Sequence, residues 1–175
     1  EILTSSPNSI DLVIQESIGE VDLTVPSEDT ITEGEPCVVT GRVYASGVTD
    51  TSRITTWVAI NSNNSDPCLW DNSLWLEMDY IETDASDYLH YALEIAHICQ
   101  LSPGDWYVAL RSQIDDSTYV FGGTKGVWDA DTSLNALLCV RQQPPYRYTI
   151  AKWDFDRQTL DPSRYIPGNQ NALIE

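Results

Sequence analysis

The sequence predicts an all-β protein: an Ig-like antiparallel β-sandwich of seven or eight strands, with extended N- and C-terminal arms. Two observations support this fold class. Short runs of alternating apolar and polar residues, rich in Val, Ile, Thr and aromatic residues, recur at intervals of roughly 8–12 residues. Turn-forming Gly, Pro, Asn and Asp separate these runs. The 175 residues suffice for one domain with a hydrophobic core and two arms.

The N-terminal arm, residues 1–36, contains two strand-like segments. These are SIDLVI at 9–14 and VDLTV at 21–25, both alternating and rich in β-branched residues. Polar residues at 26–36 then connect the arm to the domain. Neither segment has a core of its own, so each must pair with a sheet to be stable.

The β-sandwich domain is predicted to cover residues 37–143. Its first two strands are CVVTGRVYASG at 37–47 and RITTWVAINS at 53–62. A further strand, SLWLEMDYIETD at 73–84, would place on one face Leu74, Leu76, Met78 and Tyr80.

Residues 87–101, DYLHYALEIAHICQL, fit either a strand or a helix. The odd-numbered positions from Leu89 to Cys99 are mostly apolar, as in a strand, but the Ala, Leu and Glu content also suits a helix. A turn near Ala85–Ser86 would pair this segment with 73–84.

The clearest hairpin is PGDWYVALRSQIDDSTYVFGG, residues 103–123, in which two alternating runs flank a polar turn. After a loop rich in Gly and Asp, ALLCVRQ at 136–142 predicts the last strand. Pro144 and Pro145 then break the pattern, because proline cannot donate to a ladder. Residues 144–175 are expected to form an extended C-terminal arm or the start of a following module.

The composition excludes two classes of partner. With 27 acidic and nine basic residues the net charge is −18, so the chain is repelled by nucleic acid and by anionic lipid. No apolar run approaches the roughly 20 residues of a membrane-spanning helix, so no membrane insertion is expected. The acidity indicates a well-solvated surface. A saline habitat and the binding of divalent cations are the alternatives.

The cysteines predict two disulfide bonds. Cys37, Cys68, Cys99 and Cys139 are even in number, widely spaced and without a C-x-x-C pair, which favours disulfides over a zinc site. The predicted hairpin at 73–99 would bring Cys68 close to Cys99, and exclusion then joins Cys37 to Cys139. Two disulfides imply an oxidising compartment, so a secreted, extracellular or cell-surface protein is expected.

From about Cys37 to Val140 the chain resembles a β-sandwich module found in secreted multidomain surface proteins of Bacteroidota-type bacteria. The resemblance lies in motifs of the same order and similar spacing: GRVYASGVTD, TTWVAIN, DPCLWDNSLW, SPGDWYVALRSQ, TYVFGG and GVWDADTSLNALLCV. A later stretch, IAKWDFDRQTLDPS, resembles the opening of a further β-rich module that often follows. The resemblance implies a spacer or assembly module and transfers no catalytic residue. The four cysteines depart from the family's cysteine-poor pattern, which suggests additional mechanical or chemical stabilisation of the fold.

No residue constellation predicts catalysis, and no enzymatic activity is expected. His90 and His97 would face opposite sides of one strand, and neither is framed by a nucleophile. Carboxylate pairs such as Asp115–Asp116 arise by chance in a chain this acidic, whereas glycosidase chemistry needs two carboxylates across a cleft.

One loop offers a candidate metal site. DADTSLN at 129–135 places oxygens at alternate positions, which suits calcium, with Asp129 and Asp131 as candidate ligands. The loop lacks the Gly and the distal Glu of an EF-hand, and the alternative is a solvated turn with Asx hydrogen bonds. Calcium is the only cofactor that the sequence suggests.

The six tryptophans could pack in the core or stack on a sugar. Trp57 and Trp106 lie mid-strand and are expected in the core. Trp70 and Trp128 lie in loops, so they are the candidates for ligand stacking, or alternatively lids over the ends of the sandwich.

Three short motifs are candidates for glycosylation. They are the sequon NNS and the O-glycosylation-like DTI and DST, with acceptors Asn63, Thr30 and Ser117.

Two functions fit these observations. The first is a non-catalytic extracellular structural module, a subunit or repeat of a surface assembly or filament whose copies join head to tail by strand donation. The alternative is a carbohydrate-binding module of a secreted enzyme, with a polysaccharide as partner. A flat row of exposed aromatic rings would favour the alternative, and docking of an arm on a neighbouring copy would favour the first.

Overall fold

The computed structural model describes residues 15–25 and 28–144. Contacts within the chain divide it into two units, residues 1–143 and 144–175, so all described residues except Pro144 belong to the first. The strand-like segment predicted at 9–14 and nearly all of the predicted C-terminal arm lie outside the described residues.

The described part is all-β, with eleven strands in one mixed sheet. The chain also forms one helical turn, α1 (Ala96–Cys99), and three short 3-10 turns. In chain order the strands are β1 (Ser17–Val25), β2 (Glu28–Thr32), β3 (Val38–Ser46), β4 (Ile54–Asn61), β5 (Trp75–Glu77), β6 (Asp79–Thr83), β7 (Tyr88–Glu94), β8 (Gly104–Ile114), β9 (Val120–Gly123), β10 (Gly126–Val127) and β11 (Ala136–Arg141). No helix among the described residues is long and apolar enough to cross a membrane.

The strands are hydrogen bonded in the order β2-β11-β8-β9-β1-β3-β7-β6, with β10 beside β9, β4 beside β8 and β5 beside β4. The pairs β1–β9 and β2–β11 are parallel, so the sheet is not wholly antiparallel as predicted. The described strands also outnumber the predicted seven or eight. Two reasons are that the segment predicted as one strand at 73–84 divides into β5 and β6, and that β2 and β10 form in segments predicted as loops.

β1 and β2 come from the segment assigned to the N-terminal arm, and both pair within the chain. β1 lies between β3 and β9, with Val21 opposite Val43 and Asp22 beside Gly123. β2 runs parallel to β11 at one end of the sheet. The alternation at residues 21–25 therefore belongs to an interior strand of the chain's own sheet.

One large cluster of buried apolar side chains forms the main core, with contributions from β1, β3, β4, β7, β8 and β11. β3 and β8 are not hydrogen-bonded neighbours, yet a side chain at Gly41 in β3 would overlap Leu110 in β8. The hydroxyl of Tyr91 in β7 donates to the backbone oxygen of Ile54 in β4 at 3.3 Å. The β3–β7 part of the sheet therefore faces the β4–β8 part across this core.

The predicted strand at 73–84 divides at Met78. β5 pairs with β4, whereas β6 pairs with β7 on the other side of the core. Met78 is buried, and its N–H donates to the backbone oxygen of Thr56 at 2.9 Å. The chain crosses here between the two parts of the sheet, so the predicted face does not run along one continuous strand: Met78 is buried, whereas Tyr80 is 49% exposed.

Residues 87–101 form both of the predicted alternatives. β7 ends at Glu94 and α1 follows after Ile95. Glu94 links the end of β7 to α1, because its Oε1 accepts the backbone N–H of Ala96 at 3.0 Å. The same oxygen accepts the backbone N–H of Cys37, the residue before β3, at 3.0 Å.

Candidate functional site

A second apolar cluster lies on the face of β4 and β8 that points away from the main core. We call it the outer aromatic cluster. Its members are Trp57, Trp70, Trp75, Tyr107, Tyr119 and Phe121 around Arg111, above Ala59 and Ala109. The strand register places Ala59 opposite both Ala109 and Trp75, and residues directly opposite share a face. The two small alanines leave room above them for the rings.

Arg111 occupies the centre of this cluster. Its guanidinium carbon lies 4.1 Å from the ring centroid of Tyr119 and 4.6 Å from that of Trp75. Its Nη1 donates to Asn72 Oδ1 at 2.9 Å. The ion pairs found among the described residues do not include Arg111, and its buried Nε has no hydrogen-bond partner there. Burial lowers the pKa of the guanidinium, as expected for a charge removed from water.

The rings of the outer aromatic cluster pack on one another instead of forming a flat platform. Trp57 and Tyr119 meet at 88°, and Trp75 and Phe121 meet at 60°. Edge contacts of this kind stabilise a packed aromatic cluster. A sugar-stacking surface requires exposed rings in one plane, and the described part of this cluster offers no such row.

The two predicted stacking residues occupy different positions. Trp70 is 7% exposed, lies 6.0 Å from Trp75 and donates its indole N–H to Ser65 Oγ at 2.9 Å, so it covers the cluster as a lid. Trp128 is half-buried, and its backbone N–H donates to the oxygen of Phe121 at 2.9 Å. Its indole nitrogen is buried and has no hydrogen-bond partner among the described residues. Ligand stacking by either residue stays a prediction.

The predicted calcium ligands lie in a tightly bonded turn. Asp129 Oδ1 accepts the backbone N–H groups of Asp131, Thr132 and Ser133 at 2.8–2.9 Å, and its Oδ2 accepts the hydroxyl of Thr132 at 2.6 Å. These bonds hold the pKa of Asp129 well below its usual range. Within the described ranges, no three His, Cys, Asp or Glu side chains form a group that could hold a metal ion. The geometry is that of the Asx turn, and calcium binding at Asp129 and Asp131 stays a prediction.

All four cysteines lie in the described part of the chain, and no disulfide bond joins them. The predicted pair of Cys68 and Cys99 is absent because the hairpin register on which it rested does not extend past Met78. Cys68 lies in the loop that carries Trp70 on to the outer aromatic cluster, whereas Cys99 ends the helical turn that follows β7.

The predicted pair of Cys37 and Cys139 is absent as well. The backbone oxygen of Cys37 accepts the N–H of Ile95 at 2.9 Å, beside the end of β7. Cys139 lies in β11, between Thr30 of β2 and Asp105 of β8, and its Sγ hydrogen bonds to the Asp105 carboxylate at 3.3 Å. Cys37 and Cys139 were paired because they remained after Cys68 and Cys99 had been joined, but the strand order does not bring them together.

The candidate glycosylation sites Asn63, Thr30 and Ser117 are all exposed. Ser117 lies in the turn between β8 and β9, where its hydroxyl oxygen accepts the N–H of Ile114 at 3.1 Å. Modification of these residues stays a prediction.

β6 is an end strand of the sheet that the structure describes, and no described strand covers its outer edge. Among the described strands it pairs with β7 alone. All five of its residues are exposed, including two large apolar side chains, Tyr80 at 49% and Ile81 at 56%. An open edge presents unpaired backbone N–H and C=O groups to another strand.

A β-bulge at Ile81 determines which side chains of β6 share a face. The register passes directly from Tyr80 to Glu82, so Asp79 and Glu82 lie opposite residues two apart in β7 and share its outer face. Tyr80 and Thr83 share the opposite face, where their hydroxyl oxygens lie 2.8 Å apart. The edge therefore combines an acidic outer side with a partly apolar inner side.

A cleft of about 380 Å³ opens beside the inner side of β6, between β6 and β4. Its lining is mixed: the apolar and aromatic residues are Ile54, Met78, Tyr80 and Tyr91, and the polar ones are Thr51, Ser52, Thr55, Thr56, Glu77 and Asp79. Burial raises the pKa of Tyr91 to about 12, so its hydroxyl stays a hydrogen-bond donor at physiological pH. The open edge and the cleft together form the candidate site.

Sequence reasoning did not single out Arg111 or the β6 edge. The signal for Arg111 was present, because YVALRSQI places one cation at the alternating position that Tyr107 and Ala109 share. The signal for the edge was absent, because strand order depends on contacts between distant segments.

No family model and no curated protein matches the sequence. Two solved chains match it. For one of them, from work on host recognition and biofilm formation by aggregative adherence fimbriae of enteroaggregative Escherichia coli, the likeness covers 69% of this chain and 98% of that chain, with 14% sequence identity and a TM-score of 0.36.

Proposed function

We propose that the chain is a non-catalytic structural module of an extracellular or cell-surface assembly, and that its copies join head to tail by adding a strand of one copy to the β6 edge of the next. The observation that carries the proposal is the open edge of β6, with its exposed Tyr80 and Ile81. Strand addition supplies a full row of backbone hydrogen bonds, and side-chain contacts supply the selectivity. A head-to-tail contact of this kind forms an open filament unless its rotation closes a ring.

The sequence outside the described residues supplies candidate strands. SIDLVI at 9–14 and YTIAKWDFD at 148–156 both have strand-like patterns. An isolated strand is unstable in water and must pair with a sheet. The β6 edge meets that need while remaining selective, because it is short, bulged and acidic, three features that suppress indiscriminate edge pairing.

The Ig-like sandwich is the finer form of this fold that we propose. It is supported by the close approach of Gly41 to Leu110 and by the Tyr91–Ile54 hydrogen bond, both of which link strands that are not ladder neighbours. Nuclear Overhauser contacts between the Gly41 α-protons and the Leu110 methyl groups are expected. Their absence would contradict the packing of two sheets face to face.

Assembly through the edge is tested by sedimentation velocity on the full chain over a range of concentrations. Replacing Ile81 by Ser removes apolar contact at the edge and should raise the concentration of half-assembly about tenfold, the effect of losing roughly 1.4 kcal/mol. Leu69→Ser is the matched control, because Leu69 is 79% exposed and lies outside β6. A full chain that stays monomeric at millimolar concentration, or an equal effect of both variants, would contradict the proposal.

The extracellular location has a separate test. Antibodies raised against the module should label intact source cells without permeabilisation. Labelling that requires permeabilisation would contradict a surface location. The sedimentation measurement of assembly does not depend on that result.

A further inference from the structure

The charge of the chain is unevenly distributed along its length. Of the 27 acidic residues, 23 precede residue 144, whereas four of the nine basic residues follow it. Residues 1–143 therefore carry the whole net charge of −18, and residues 144–175, with four charges of each sign, are neutral. The C-terminal segment is the part of the chain that an acidic surface repels least.

The β6 edge is such a surface. Asp79 and Glu82 share its outer face, and both are exposed. Like charges placed on neighbouring strands destabilise pairing. A second β6 would bring its own Asp79 and Glu82 to this edge, and the segment 9–14 would bring Asp11 without any cation.

We infer that residues 146–153, YRYTIAKW, are the strand that the β6 edge receives from a neighbouring copy. This inference rests on the proposed function and names the donor for the same edge. Alternation gives the segment a mainly apolar face of Tyr146, Tyr148, Ile150 and Lys152, and an opposite face of Arg147, Thr149, Ala151 and Trp153. With the apolar face towards the core, Arg147 lies on the outer side, where it meets the two carboxylates of β6.

The cleft beside β6 lies on the side that this face of the donor meets, and its lining is mixed, with the carboxylates Glu77 and Asp79 beside apolar side chains. Its volume of about 380 Å³ lies next to the inner side of the edge, and its lining includes Ile54, Met78 and Tyr91. A strand laid along β6 turns alternate side chains towards this cleft. Tyr148 and Ile150 are the side chains that would fill it.

Charge reversal in the full chain tests the donor. Arg147→Glu should raise the concentration of half-assembly about tenfold, because it places a third carboxylate beside Asp79 and Glu82. Arg164→Glu is the matched control, since it makes the same change of charge in the same segment outside residues 146–153. The double reversal Asp79→Lys/Glu82→Lys, added to Arg147→Glu, should restore assembly, and thermal melting of each variant checks that the fold is kept.

The outcomes separate the donor from the proposed function. If Arg147→Glu assembles like the unaltered chain while Ile81→Ser does not, the donor is wrong and strand addition at β6 stands. Equal effects of Arg147→Glu and Arg164→Glu also overturn the donor, because they show a dependence on net charge alone. A full chain that remains monomeric at millimolar concentration overturns both the donor and the proposed function.

Discussion

The guanidinium carbon of Arg111 lies 4.1 Å from the ring centroid of Tyr119, in a position where the side chain is 7% exposed. No carboxylate in the described part of the chain forms an ion pair with it. Three aromatic rings and Asn72 surround this cation instead. Arg111 therefore acts chiefly as a packing residue, whose charge is tolerated through cation–π contact.

Arg111→Ala should lower the free energy of unfolding by about 2–4 kcal/mol, because it leaves a cavity beneath the rings. Arg111→Met keeps the volume and removes a buried charge, so its cost should stay below about 1.5 kcal/mol. Arg141→Ala, at an exposed arginine, should change stability by less than about 0.5 kcal/mol. Denaturant unfolding measures all three. Equal losses for Arg111→Met and Arg111→Ala would show that the charge matters more than the packing.

Gly41 should tolerate no larger residue. A Cβ there would overlap the buried Leu110 and lie 3.2 Å from the backbone oxygen of Asp22, so Gly41→Ala should cost about 1–3 kcal/mol by overpacking. Gly19→Ala is the control, because its Cβ would meet Tyr44 at an ordinary contact distance of 3.4 Å. Thermal melting compares the two variants. A Gly41→Ala protein as stable as Gly19→Ala would contradict the close approach of β3 to β8.

Asp129 should stabilise the loop between β10 and β11 in a pH-dependent way. Its pKa is lower in the folded chain than in the unfolded one, so its contribution is present above the unfolded value of about 4 and is lost as the pH falls towards the folded value. The difference in melting temperature between the unaltered chain and Asp129→Ala should therefore be largest near pH 6–7 and shrink below about pH 4. Asp129→Asn keeps an acceptor oxygen, so it should lower the melting temperature less than Asp129→Ala does. The melting temperatures are compared in EDTA and in calcium. If Asp129→Ala lowers the melting temperature only when calcium is present, Asp129 belongs to a metal site instead.

Added salt should stabilise the fold. The net charge of −18 produces self-repulsion, which ions screen over a Debye length of about 8 Å at 0.15 M. The melting temperature is expected to rise between low salt and 0.15 M potassium chloride. Calcium chloride at equal ionic strength gives the control, because a larger rise with calcium would indicate specific binding. An indifference to both salts would rule out self-repulsion as a cost to stability.

Local alternation predicted the strands that bury one face. The segments predicted at 37–47 and 53–62 became β3 and β4 with boundaries within one residue. The hairpin at 103–123 became β8 and β9, with Leu110 opposite Gly122. These elements were predictable because a half-buried strand repeats its polarity every two residues.

The crossing at Met78 could not be predicted in the same way. Alternation continues through it, so the sequence pattern does not reveal that β5 and β6 belong to different parts of the sheet. The bulge at Ile81 shifts the faces once more. The expected contact of Cys68 with Cys99 failed for the same reason, because it relied on an uninterrupted hairpin.

The candidate site was even less accessible to sequence reasoning. Trp70 looked like a loop residue free to stack on a ligand, but its exposure is set by Trp75 and Ser65, which reach it only in the folded chain. The openness of β6 depends on which strand lies at the end of the sheet. Both properties arise from contacts across the sheet, which composition and spacing do not encode.

The parallel pairing of β1 with β9 has a mechanical consequence. β1 runs parallel to β9, and β9 runs antiparallel to β8, so β1 starts at the end of the sheet where β8 finishes. β11 also runs antiparallel to β8, and it finishes opposite Gly104, where β8 starts. A tensile load applied through the start of β1 and the finish of β11 therefore acts along the strands, at right angles to the hydrogen bonds between β1 and β3. Those bonds are sheared together instead of being unzipped one after another, so the described sheet resists a pull applied at these two ends.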